Sequence, residues 1–192
     1  MTTKTYSAFL TGALRSSVIS PAILVLSMSM TIAATAVDDT VKERQQDMKE
    51  IAAAAKAIAG FFKNPETYSS DSFRQAATAI GVRADQRLID HFATRTVAEG
   101  SKATEAIAAE PDRFAALARD LKSYADALAS AADKNPGAMS DDMRMKPGEP
   151  MGGGPLGTRV RNEATLSSIS AEHAFHLMLQ TCSACHTGFR SD

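Results

Sequence analysis

From Val41 onward, apolar and small side chains recur at Val41, Met48, Ile51, Ala55, Ile58 and Phe62, mostly in steps of three and four, while Lys49, Glu50 and Lys56 fall outside the stripe. That period places the apolar set on one face of a helix. Asn64-Pro65 ends it, because the residue before a proline is pushed out of the helical region. Ser69-Ser70-Asp71 supplies N-cap chemistry for a second helical stretch carrying Phe73, Ala77, Ile80, Leu88 and Phe92, with Gly81 a weak point in its middle. A loop over residues 94–110 follows. Pro111-Asp112 suits a first helical turn, and Phe114, Leu117, Leu121, Tyr124 and Leu128 then form a seam of the kind that packs bundle helices. Asn135-Pro136-Gly137 stops this third helix. A last helix is expected from near Asn162 through Leu166, Ile169, Ala174, Leu177, Met178 and Thr181. No alternating strand pattern and no internal repeat occurs. The expected fold class is therefore all-α, an antiparallel four-helix bundle.

Between the third and last helices, residues 136–158 hold most of the prolines and glycines together with Met139, Met143, Met145 and Met151, and read as a flexible connection. Thioethers are soft donors that suit Cu(I), but a methionine-bearing linker is the plainer reading. Gly152-Gly153-Gly154 lacks the strand and helix context of a phosphate loop.

At the N-terminus, Lys4 and Arg15 precede an acid-free, mostly apolar stretch over residues 18–33, followed by Ala34-Thr35-Ala36. This pattern predicts a secretory signal over residues 1–36, cleaved after Ala36, and a mature domain over 37–192; a retained membrane anchor is the alternative. Cleavage would remove two basic residues and no acids, leaving 19 basic and 22 acidic residues. So mildly acidic a chain has no basic field to attract nucleic acid. The 192 residues, 44% of them hydrophobic, suffice for one ordinary domain.

The two cysteines leave no disulfide framework, for both belong to Cys182-Ser183-Ala184-Cys185-His186. This is the C-x-x-C-H pattern of covalent c-type haem attachment. On a helix all three reactive side chains share one face, so two thioether bonds and an imidazole ligand can serve one porphyrin. A dithiol oxidoreductase would place its attacking thiol at a helix N-terminus, whereas this pair closes a helix. A zinc site would need a fourth ligand from afar, such as His91. His173 and His176 share the last helix with His186 and cannot readily reach the opposite side of the iron.

The motif continues as His186-Thr-Gly-Phe189-Arg190, and the first helix carries Arg44-Gln45-Gln46-Asp47-Met48. With Lys102-Ala-Thr-Glu105-Ala-Ile107 and Pro111-Asp-Arg-Phe114, these segments resemble the class II cytochromes c, which include cytochrome c′. The resemblance covers nearly the whole mature chain. The tryptophan often found in that family's haem-edge loop is missing, and the connection before the last helix is longer than usual. The resemblance implies one haem c bound by Cys182 and Cys185, with His186 as one iron ligand and Met48 on the other face. Arg44, one turn before Met48, is placed to pair with a haem propionate, and Arg190 to lie along the proximal side. If Met48 ligates iron, as in a low-spin His/Met subgroup, the protein is a periplasmic single-electron carrier, not an enzyme, serving redox partner proteins. If Met48 only packs there, the resemblance implies a five-coordinate site for nitric oxide or carbon monoxide. A homodimer paired through the first two helices is also implied by resemblance alone.

Overall fold

A computed structural model describes residues 22–93, 97–149 and 163–192, with side chains described from Asp39 except at residues 163 and 164. The chain divides into two compact units, 1–35 and 36–192, and the account below concerns the second. Residues 1–21 of the expected signal segment, and Asn162 at the expected start of the last helix, lie outside the described residues.

Helix α1 spans Ala22–Lys63, and a single 3₁₀ turn, Pro65–Thr67, follows it. Then come α2 (Ser70–Gly81), α3 (Asp85–Asp90), a one-turn α4 (Ala106–Ala109) and the long α5 (Pro111–Lys134). A further 3₁₀ turn (Asp141–Met143), α6 (Glu163–Leu166) and α7 (Ala171–Phe189) complete the order. Among the described residues no strand forms; one isolated bridge joins Ala103 to Arg190. The architecture is an all-α, antiparallel four-helix bundle of α1, the α2/α3 pair, α5 and α7. Among the described residues no helix is long and apolar enough to cross a membrane.

The buried seam of α1 is Val41, Arg44, Asp47, Ile51, Ala54, Ile58 and Phe62, a regular helical stripe whose first turns carry two charged side chains. Met48 and Ala55, expected on the stripe, are only partly buried beside it. The largest core cluster gathers Ile58, Phe62, Phe73, Ile80, Tyr124, Leu128, Met143, Phe175 and Met178. Within it Phe62 meets Phe73 edge-on at 5.5 Å and Phe175 at 5.7 Å between ring centroids. A smaller cluster of Leu88, Ile107, Phe114, Leu117, Ala118 and Phe189 lies at the cysteine end.

Three expectations change. The second helix is two helices, broken at residues 82–84, where Asp85 takes φ 50°, a conformation its short polar side chain tolerates. Gly81 closes α2 beside α5, where a Cβ would lie 3.6 Å from that of Ala125 and 3.3 Å from Asp126 Oδ1. The last helix is likewise broken between Leu166 and Ala171, since Ser170 adopts extended backbone and accepts a hydrogen bond from His173 N at 3.2 Å, capping α7 afresh. The connection after α5 is not a loose linker over residues 136–149. Met143 is fully buried in the core, Arg144 bonds Phe62 O at 2.7 Å and Glu172 at 2.9 Å, and Glu149 pairs with His173 at 2.7 Å. Residues 150–162, including Met151, lie outside the described residues.

Candidate haem site

Helix α7 runs unbroken from its Ser170 cap to Phe189, so Cys182, Cys185 and His186 keep the i, i+3, i+4 relation that puts them on one face. Cys182 packs against the larger core cluster, and Cys185 with Ala184 against the smaller one. Met48 of α1 packs against both, the only partly buried side chain among the described residues to do so. The attachment motif and Met48 thus meet the same division in the bundle interior.

Burial pushes both thiols up, Cys182 by desolvation and Cys185 to about 11 by desolvation and then by its neighbour Cys182, with Arg113 opposing. The two are free rather than disulfide-bonded. A dithiol oxidoreductase needs the opposite shift, so that reading loses its chemistry here. Partial burial, and then the charge of Arg190, pull the His186 imidazole below its ordinary value. It is therefore neutral at pH 7 and keeps a lone pair for a metal.

The end of α7 is clamped by the segment that precedes α5. Thr104 N donates to Phe189 O at 3.0 Å and Ser191 N to Lys102 O at 2.8 Å. Phe114 stands edge-on to Phe189 at 5.4 Å and to Phe92 at 5.1 Å. The segment matched to a haem-edge loop in the sequence is thus carried to the motif. Beside it, Thr104 Oγ1 is buried and has no hydrogen-bond partner in the protein. Two half-buried thiols on one helical face, apolar walls on either side and a buried hydroxyl in want of an acceptor fit a covalently held haem. Among the described residues no group of three or more His, Cys, Asp or Glu side chains is placed to hold a metal ion.

Arg44 is buried; its guanidinium donates to His91 O and lies 4.2 Å over the Phe92 ring. Desolvation lowers its pKa. Arg190 is exposed, and its backbone N–H closes α7 on His186 O at 3.1 Å. The pattern did not single out Asp47. Its carboxylate is buried and accepts from Arg87 Nε at 2.6 Å and Nη2 at 3.1 Å, while His91 Nε2 stands 2.9 Å away. Arg83 Nε lies 3.5 Å from its other oxygen and pairs through Nη2 with Glu50. Burial alone would raise the Asp47 pKa, but the hydrogen bonds and charges of Arg87 and His91 outweigh it and hold the group below the ordinary range. His91, the candidate distant zinc ligand, is engaged there. The available signal was an acid standing in phase with Arg44 and Ile51 on a buried stripe.

A family model described as Cytochrome C′ matches residues 39–147, more than half of the chain, and ends ahead of the cysteine motif. Among curated proteins none matches. Among solved structures, cytochrome c′ from Thermochromatium tepidum is similar with a TM-score of 0.56 at 21% identity, covering 81% of this chain and 97% of its own. Cytochrome c′ from Rubrivivax gelatinosus is similar with a TM-score of 0.53 at 15% identity, covering 80% and 95%. Taken with the bundle and the C-x-x-C-H face of α7, the family match shows that this chain belongs to the cytochrome c′ family and carries one covalent haem c.

Proposed function

We propose that the protein is an exported carrier of single electrons, with haem attached at Cys182 and Cys185 and iron held by His186 and Met48. The observation that supports this most is the placement of Met48, which packs against the cluster touching Cys182 and also the cluster touching Cys185. A thioether there would give the iron a soft second protein ligand of the kind found in cytochromes c. When bound, the haem supplies the one-electron couple. The chain supplies two ligands on separate helices, apolar walls that limit water, and a rigid α1. Asp47, next to Met48, ties that helix to α3 through Arg87 and His91, so little moves on redox change. In this reading Arg44 and Arg190 would help to hold the haem, Arg44 by offsetting propionate charge and Arg190 by lying along the side of His186.

The deciding experiment is the oxidised absorption spectrum of wild type and Met48→Ala. Wild type is expected low-spin with a sulfur-to-iron charge-transfer band, and the variant high-spin. A variant that stays low-spin removes Met48 as a ligand. The family match itself favours a second reading, a five-coordinate site that binds nitric oxide or carbon monoxide. A high-spin wild-type spectrum, with rapid binding of either gas to the reduced protein, would establish that instead.

Export and removal of residues 1–36 belong to the same proposal. The acid-free apolar stretch supports it, and the boundary between the chain's two compact units falls beside Ala36. The mass of the mature protein, expected to begin at Val37, tests it. Redox proteins are the proposed partners. A homodimer is proposed on resemblance, to be tested by sedimentation at several concentrations.

A further inference from the structure

Gly188, two residues past His186, leaves a gap that another helix fills. A Cβ at this position would lie 3.2 Å from Arg113 Nη2, 3.4 Å from Nη1 and 3.5 Å from Cζ. All three nearest atoms belong to one guanidinium, so that group lies against α7 at a position that carries no side chain. Arg113 Cζ also lies 5.2 Å from the centroid of the Phe189 ring. Nη1 donates to Glu110 at 3.0 Å, and both side chains of that pair are about half exposed. Gly188 follows Cys185 by three residues on the unbroken α7, so the guanidinium stands on the helical face that carries the attachment residue.

The helix dipole does not account for an arginine here. Arg113 stands in the first turn of α5, where the positive end of the helix dipole favours acids and disfavours cations. The C-x-x-C-H motif does not call for it either. What its position does supply is a fixed positive charge beside the covalent anchor, on a different helix from Arg190.

We propose that Arg113 is a redox-tuning residue: seated against Gly188 and braced by Phe189, it places a positive charge beside the Cys185 attachment and favours the haem with one more electron. Oxidised haem carries one positive charge more than reduced haem, so a nearby cation raises the midpoint potential and the Glu110 carboxylate partly offsets it. Solvent screens a half-exposed charge, which limits the effect to about three- to tenfold in the ratio of reduced to oxidised protein at a fixed poise. At about 59 mV per tenfold for one electron, that is roughly 28 to 59 mV. The proposal needs only the attached haem and holds whether or not Met48 ligates iron.

The test is the midpoint potential of the haem-loaded proteins, titrated with dithionite and ferricyanide through mediators. Arg113→Gln is expected to lower it by that amount, Arg113→Lys to keep most of it, and Glu110→Gln to raise it. Salt raised from 0.01 to about 0.5 M should shrink the gap between wild type and Arg113→Gln, as the screening length falls. A merely structural arginine would shift melting temperature without these opposed signs. Midpoints of Arg113→Gln and wild type agreeing within about twofold in that ratio, or glutamine at 110 and at 113 shifting the potential the same way, would overturn the proposal. Should Arg113→Gln fail to accumulate with haem, Glu110→Gln decides: an upward shift sustains the proposal, and no shift or a downward one overturns it.

Discussion

Replacing Asp47 by Asn keeps the shape and deletes the charge on which three side chains converge. Removing one partner of a buried ion pair costs about 3–5 kcal/mol. Two features reduce that here. Arg87 is 52% exposed and regains water, and the asparagine oxygen can still accept one of its hydrogen bonds. His91, with only 9% of its side chain exposed, cannot escape and is left facing an amide. The expected loss is about 2–3 kcal/mol at pH 7, which for a chain of this size lowers the melting temperature by about 5–10 °C. The pH dependence carries the sharper information. Asp47 is held below its ordinary value when folded, so its contribution is complete above the unfolded value of about 3.9 and is lost as pH falls through the lower folded value. Wild type and Asp47→Asn should therefore differ most near neutrality and converge in acid. The assay is urea unfolding of the haem-loaded proteins, followed by far-UV circular dichroism from pH 7 to pH 3. A difference under about 0.5 kcal/mol at pH 7 would refute the argument, since that is what a surface substitution gives. A difference that stays constant into acid would show that shape and not charge holds α1 to α3.

Met143→Ala should cost about 2–4 kcal/mol in unfolding free energy, because the side chain is fully buried and its loss leaves a cavity; a loss under about 1 kcal/mol would restore the view of residues 136–149 as a loose linker. In the folded, haem-free chain at pH 8, a Cys185 thiol raised to about 11 holds about 200-fold less thiolate than an unfolded one, of which higher nucleophilicity returns about a factor of ten. Iodoacetamide should then alkylate it about twentyfold more slowly than in the same chain in urea, and equal rates would mean that the thiol is not buried.

The haem attachment site was legible in the sequence because its geometry is local. Three reactive side chains within five residues of a helix fix their own relation, and no tertiary contact is needed to align Cys182, Cys185 and His186. The third helix was legible for a similar reason, its apolar seam running with constant period from Phe114 to Leu128. The breaks at residues 82–84 and 167–170 were harder to read, since a helical period continues across both, and the left-handed backbone of Asp85 and the cap at Ser170 interrupt it. Met143 illustrates the other failure: a stretch rich in proline and glycine reads as linker, yet one methionine in it fills a core position that residues far away in sequence create.

Sequence alone therefore determined the helical class, the attachment motif and its sidedness, each a property of neighbours within a turn or two. Tertiary structure decided which charges are buried and against what. Arg44 and Asp47 lie on the buried stripe only because α3 brings Arg87 and His91 to meet them, and Arg113 faces Gly188 only because α5 and α7 pack at that point. A charge is tolerated in an interior when a partner from elsewhere in the chain offsets its desolvation, and the partner's position is written in the packing of helices rather than in any one of them.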